Sequence, residues 1–297
     1  MGRMRKINVT TLNAFARAGR GGNPAGVVID TDGLDETSMQ KVAAGVGLSE
    51  TAFVQKSAAA DFKIRFFTPA AEVDLCGHAT IAVFSLLFGL RRIQPGKFRQ
   101  ETKAGILGVE VQADGTVFME QTLPVFENAV DRGEVAGSLG IEIDSLAPDM
   151  PVQIVSTGLR DIMVPLVSLR ALSNIEPDFK KITKISRRYG AVGYHAFSLE
   201  TKHNSTAHCR NFAPLYGIPE EAATGTSSGA LACYLFRRGK IAEGQARKLV
   251  FEQGYGMGRP SEILVRLDIK KKAVTGVHVG GKATAAKDKT FSFEDRR

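Results

Sequence analysis

The stretch Cys76-Gly77-His78-Ala79-Thr80 leads directly into an apolar run that ends Leu86-Leu87-Phe88. From Ala79 to Phe88 that run is apolar nearly all round, and a helix of this kind must be buried on every side. A second stretch has the same build: Ala223-Thr224-Gly225-Thr226-Ser227-Ser228-Gly229, followed by a run from Ala230 to Phe236. Both helices begin at a glycine-containing polar turn. Small and hydroxyl residues at such a turn suit capping, but a helix start also offers free N–H groups and a positive dipole end to an anion.

Short strand-like segments surround each helix. The first half offers Ile7–Leu12, Ala25–Ile29, Phe62–Phe67, Ile106–Val111 and Val117–Glu120. The second half offers Val152–Ser156, Ile162–Leu166, Ala196–Leu199, Ala207–Phe212, Leu249–Glu252 and Ile263–Leu267. The landmarks Phe53, Phe67, Gly77 and Phe88 recur as Phe197, Phe212, Gly225 and Phe236, at offsets of 144, 145, 148 and 148. A repeat of half the chain implies two similar domains rather than a solenoid. The sequence therefore predicts an α+β protein of two pseudo-symmetric domains, each a curved sheet or barrel around a central apolar helix. The expected boundaries are residues 1–128 and 129–285, with 286–297 a polar tail. If the domains are related by a pseudo-twofold, both helix starts face one cleft, which would hold a carboxylate.

Composition narrows the function classes. The 297 residues are 43% hydrophobic and 24% charged, which excludes a disordered or fibrous chain. The net charge of +8 is spread over the chain, its tightest clusters being Lys270-Lys271-Lys272 and Arg237-Arg238-Gly239-Lys240. That spread favours a solvated basic face over a nucleic-acid footprint. Cys76, Cys209 and Cys233 are too few and too far apart for a disulfide framework or a zinc motif, and the histidines are too scattered to suggest a metal site. No targeting or membrane segment is evident, so a reducing cytoplasmic location is expected. Gly254-Tyr255-Gly256-Met257-Gly258 lies between two strand-like runs and opens no helix, which excludes a dinucleotide loop.

Several motifs together resemble the phenazine-biosynthesis PhzF-like family, from about residue 7 to 280 and in family order. They are Gly22-Asn23-Pro24-Ala25-Gly26, Leu48-Ser49-Glu50-Thr51-Ala52-Phe53-Val54, Cys76-Gly77-His78-Ala79-Thr80, Ser156-Thr157-Gly158-Leu159, Phe212-Ala213-Pro214, the stretch Gly217 to Thr226, Gln253-Gly254 and Met257-Gly258-Arg259-Pro260-Ser261. The resemblance implies a diaminopimelate-epimerase-like fold. It also implies a cofactor-independent isomerase of a small anionic carboxylic acid, often a homodimer, with no metal. Glu50 would be its general acid/base. His78 matches the histidine of Gly-His-Ala-Thr, and Glu221 and Thr226 fall where the family has aspartate and serine. This chain reads Glu221-Ala222-Ala223-Thr224-Gly225-Thr226 in place of Asp-Pro-Ala-Thr-Gly-Ser, so the carboxylate reaches one methylene further and the loop loses a proline. Asn23, Cys76, Gly77, Thr224, Gly225, Thr226 and Ser227 are the candidate substrate-binding residues.

Moving a proton off carbon needs a base close to the substrate, and a carboxyl in a dry cleft serves because burial raises its pKa. Leu48, Ala52 and Phe53 around Glu50 favour such a rise. At a helix start, His78 is expected to have a lowered pKa and to orient substrate or relay a proton, or else simply to cap the helix. Glu221 is a candidate second carboxylate, orienting His78 or sharing the proton, or an exposed loop acid. Two alternatives stay open. One is a racemase or epimerase using a Glu50/Cys76 pair, because a two-cysteine enzyme would need a cysteine in the turn at Thr224. The other is a non-catalytic acid-binding or scaffold protein of the same fold.

Overall fold

A computed structural model describes residues 3–284 and 287–295. The first half forms β1 (Arg3–Ala14), β2 (Asn23–Val28), α1 (Glu36–Val46), β3 (Thr51–Gln55), β4 (Phe62–Phe67), β5 (Glu72–Val73), α2 (Gly77–Gly89), β6 (Gly96–Thr102), β7 (Gly105–Val111) and β8 (Val117–Gln121). The second forms β9 (Val125–Ala129), α3 (Arg132–Leu139), β10 (Gln153–Ser156), β11 (Arg160–Leu166), α4 (Leu169–Ser173), α5 (Phe179–Tyr189), β12 (Gly193–Ser198), β13 (Ala207–Ala213), β14 (Ile218–Glu221), α6 (Gly225–Arg237), β15 (Leu249–Gln253), β16 (Ser261–Lys270) and β17 (Ala273–Gly281). A last strand, β18 (Lys287–Asp295), follows.

The repeat seen in the landmarks is a repeat of strand pairing. In the first half β2 is antiparallel to β1 and parallel to β3. β4 is antiparallel to β3 and carries the short β5, β6 is parallel to β4, and β7 returns antiparallel. The second half repeats this with β10, β11, β12, β13, β14, β15 and β16 in the same roles. Parallel neighbours need a crossover, and helices supply it at matching places. α1 lies between β2 and β3 as α5 lies between β11 and β12, and α2 precedes β6 as α6 precedes β15.

Both central helices are buried as their sequences demand. His78 to Phe84 are all buried on α2, and Ser227 to Leu235 on α6. α2 packs on β1, β2, β3 and β7, and α6 on β10, β11 and β16. Phe84 of α2 meets Phe62 edge-on with ring centres 5.8 Å apart, and Tyr234 of α6 meets Phe197 at 5.9 Å. The other sheet face is covered too. Val9, Val28, Phe53 and Phe67 pack with Met39 and Val42 of α1, while Ile162, Val164, Tyr194 and Phe212 pack with residues of α3 and α5. Strands covered on both faces lose the polar alternation of a half-exposed sheet. β12, for instance, is buried along its whole length.

The chain divides into two compact units, Met1–Glu120 with Gly280–Arg297, and Gln121–Val279. The division differs from the expected boundaries at the C-terminus. The segment expected as a polar tail contains β18, antiparallel to β1 from Arg3↔Asp295 to Thr11↔Lys287. Phe291 of this strand packs against the α1 core. Among the described residues no helix is long and apolar enough to cross a membrane. The three cysteines are free and buried.

Candidate active site

Glu50 immediately precedes β3, and His78 is the second residue of α2. Folding brings Glu50 Oε2 to 3.1 Å from His78 Nε2. Cys76, the N-cap residue of α2, places Sγ 3.4 Å from His78 Nδ1, and Ser49 Oγ lies 3.5 Å from His78 Nε2. His78 and Cys76 are buried and the Glu50 side chain is 15% exposed.

The charge states reverse two sequence expectations. Burial pushes the Glu50 carboxyl up, but the hydrogen bond and charge of His78, with Ser49 and Cys76, outweigh it and hold Glu50 below its ordinary value. Burial also opposes a charged His78, yet Cys76 and Glu50 together hold the imidazole well above its ordinary value. Glu50 was expected to rise and His78 to fall. Each instead meets its opposite charge at contact distance, which overrides burial and helix dipole. Burial and then the Glu50 charge push the Cys76 thiol up, against the opposing pull of His78.

No sequence spacing suggests a metal site, but the ligand atoms of Glu50, Cys76 and His78 all lie within 4.8 Å of one another. Such an N, O and S set is of the kind that binds zinc. A cation there would compete with the proton that the raised His78 holds.

The second unit gathers the other candidates. Thr224, the N-cap residue of α6, donates from Oγ1 to Glu221 Oε2 at 2.7 Å. Gln253 clamps the same turn, accepting from Thr224 N–H at 3.1 Å and donating to Thr224 Oγ1 at 3.0 Å and the Glu221 carbonyl at 2.8 Å. The Thr226 carbonyl accepts from Thr157 Oγ1 at 3.1 Å, and Ser227 Oγ donates to Asp161 Oδ2 at 2.7 Å. Asn23 opens β2 and is buried. Asp161, Thr157, Gln253 and Ser49 were given no role from sequence. The available signal for Asp161 was a lone acid heading the apolar run Ile162-Met163-Val164.

The two helix starts are built alike. Thr80 Oγ1 donates back to the Cys76 carbonyl at 2.8 Å, and Ser228 Oγ to the Thr224 carbonyl at 2.9 Å. Asp35, Asp131, Ser168 and Asp178 cap α1, α3, α4 and α5 through their side chains, whereas Cys76 and Thr224, the N-cap residues of α2 and α6, make no such side-chain cap bond. The turns that suit capping by their small and hydroxyl residues thus do not use their N-cap side chains for it.

The profile of the phenazine biosynthesis-like (PhzC-PhzF) family matches residues 12–289. The chain is 36% identical over 272 residues to an uncharacterised isomerase, YfhB, of Bacillus subtilis, covering 89% of this chain and 92% of the relative. It is 32% identical over 277 residues to the trans-2,3-dihydro-3-hydroxyanthranilate isomerase of Pseudomonas chlororaphis, covering 91% and 94%. The crystal structure of a PhzF-family phenazine biosynthesis protein from Bacillus anthracis superposes with a TM-score of 0.87 at 31% identity, covering 97% of this chain and 99% of the other. A doubled sheet-and-helix unit with an acid–histidine pair at a buried helix start thus places the chain among the isomerases of this architecture. It belongs to the phenazine biosynthesis-like family.

Proposed function

We propose that this isomerase shifts a proton within a small unsaturated carboxylic acid, without a cofactor, using Glu50 as base and then as acid. The Glu50–His78 contact of 3.1 Å carries the reading. His78 keeps Glu50 ionised, so a carboxylate stands ready to take a proton from carbon. The C–H electron pair stays on the substrate as a delocalised anion, and the protonated Glu50 returns the proton to a different carbon. A positioned base of this kind is worth about 10²–10⁴ in rate. The starts of α2 and of α6 each offer first-turn N–H groups to a carboxylate, and the net charge of +8 favours an anionic ligand.

The test uses trans-2,3-dihydro-3-hydroxyanthranilate, the compound named for the Pseudomonas chlororaphis relative, alongside other unsaturated carboxylic acids in D₂O. Carbon-bound deuterium is followed by NMR. Glu50→Gln is expected to slow its appearance by at least about 100-fold. Exchange unchanged in Glu50→Gln would remove Glu50 from the role.

A further inference from the structure

Asp161 in the second unit is a buried acid, 2% exposed, whose Oδ2 accepts from Ser227 Oγ at 2.7 Å. Ser227 is the third residue of α6 and is itself 1% exposed. The turn before β11 holds the same helix end, through Thr157 Oγ1 and the Thr226 carbonyl.

Register shows what shares this face of the sheet. Asp161 lies opposite Val155 of β10 and Gly193 of β12. Side chains two residues apart on a strand share a face, so His195 and then Phe197 follow Gly193 there. Phe197 packs on Tyr234, which makes this the face that α6 covers. His195 is fully buried, and among the described residues neither of its ring nitrogens has a partner. Asn211 lies opposite it with Oδ1 also buried and unpartnered.

Among the described residues no cation acts on Asp161. The groups that act on it from α6 and β14 are Ser227 and Glu221, and burial keeps His195 neutral, pushed down to about 3. Arg160, the adjacent residue, points to the opposite face, where Glu127 and the Gly190 carbonyl hold it. Burial pushes the Asp161 carboxyl up to about 7, with Ser227 opposing the shift and Glu221 adding to it.

We propose that Asp161 is a positioning residue for the anion-holding start of α6, acting through Ser227. When protonated it donates to Ser227 Oγ and leaves the hydroxyl proton free for a bound carboxylate. When ionised it takes that proton as an acceptor and sets a negative charge beneath the helix start. This rests on the reading above, in which the start of α6 offers its N–H groups to a carboxylate. The unpartnered His195 and Asn211 show that the polar layer under α6 extends beyond what the protein's own hydrogen bonds satisfy.

The test is calorimetric titration with 3-hydroxyanthranilate, an aromatic and therefore unreactive relative of the compound above. Wild-type affinity is expected to fall about tenfold between about pH 6 and about pH 8, the change set by one group titrating near 7. Asp161→Asn, neutral at both and able to donate to Ser227, is expected to bind equally at both. Ser227→Ala is expected to bind more weakly at the lower pH. An Asp161→Asn profile that still falls tenfold, an unaffected Ser227→Ala, or no wild-type binding at either pH would overturn the proposal. The same titration of Glu50→Gln separates the two readings. Deuterium exchange that survives in Glu50→Gln removes the proposed base yet leaves Asp161 standing if the wild-type pH profile holds. Exchange lost in Glu50→Gln with an unchanged Asp161→Asn profile does the reverse.

Discussion

The contact between Glu50 Oε2 and His78 Nε2, 3.1 Å long, ties the residue ahead of β3 to the first turn of the central helix α2. Strand and helix come from separate stretches of the chain, so the pair exists only in the folded state. It must then appear in the pH dependence of stability. Glu50 is depressed, so its contribution is complete above the ordinary value of 4.5 and is lost as pH falls through the folded value. His78 is raised, so its contribution is complete below 6.5 and is lost as pH rises through the folded value. Both are fully present only between 4.5 and 6.5. Guanidinium unfolding across a pH series should show Glu50→Gln least stable relative to wild type in that window, by about 1–3 kcal/mol, with the gap closing on either side. A gap that is flat with pH would mean that no such ion pair forms.

Cys76 separates isomerase from epimerase. A Glu50/Cys76 pair would need the thiol to yield its proton and recover it, but burial and the Glu50 charge hold that thiol up. Cys76→Ala is therefore expected to keep turnover within about tenfold of wild type, while His78→Asn loses about 100-fold or more in kcat. Loss of turnover in Cys76→Ala comparable to that in Glu50→Gln would favour the thiol as the second acid–base group.

The central helices should dominate stability as they dominate the fold. Phe84 on α2 is fully buried against Phe62 and Phe98. Its replacement by Ala removes a ring from a site walled by strands, at an expected cost of about 3–5 kcal/mol. Val125 on β9 is 56% exposed, and Val125→Ala should change stability by no more than about 0.5 kcal/mol. Calorimetric melting of the two variants checks the contrast, and equal shifts would contradict it.

The repeat was legible because it rests on local signals: an all-apolar helix after a glycine turn, and strand runs in matching order before and after it. Glu50 and His78 were legible as candidates through their motifs. Their charge states were not, because each depends on a partner that is distant in sequence. Asp161 was missed for the same reason, since its burial is made by β10, β12 and α6 together. The β18 segment, Lys287-Asp288-Lys289-Thr290-Phe291-Ser292, carries too much charge to announce itself, and only pairing with β1 at the other end of the chain makes it a strand.

Each unit sets a glycine opposite a larger residue across a parallel strand pair, on different faces and with different room around it. In the first, Gly26 of β2 lies opposite Thr51 of β3. In the second, the larger residue is Asp161 on β11 and the glycine is Gly193 on β12. A Cβ at Gly26 would meet Thr51 Oγ1 at 2.9 Å and Val46 Cγ1 at 3.3 Å, side-chain atoms that can turn aside. A Cβ at Gly193 would lie 2.0 Å from the Phe212 carbonyl oxygen and 2.9 Å from the Ala213 Cα, backbone that β13 holds in its ladder. Overpacking costs typically about 1–3 kcal/mol where neighbours yield, and more where they cannot. Gly26→Ala should fall within that range. Gly193→Ala should exceed it and, by forcing β12 away from β13, disturb the wall beside Asp161 as well. Melting temperatures rank the two variants, and a Gly193→Ala protein as stable as Gly26→Ala would show that β12 and β13 do not approach each other as closely as described.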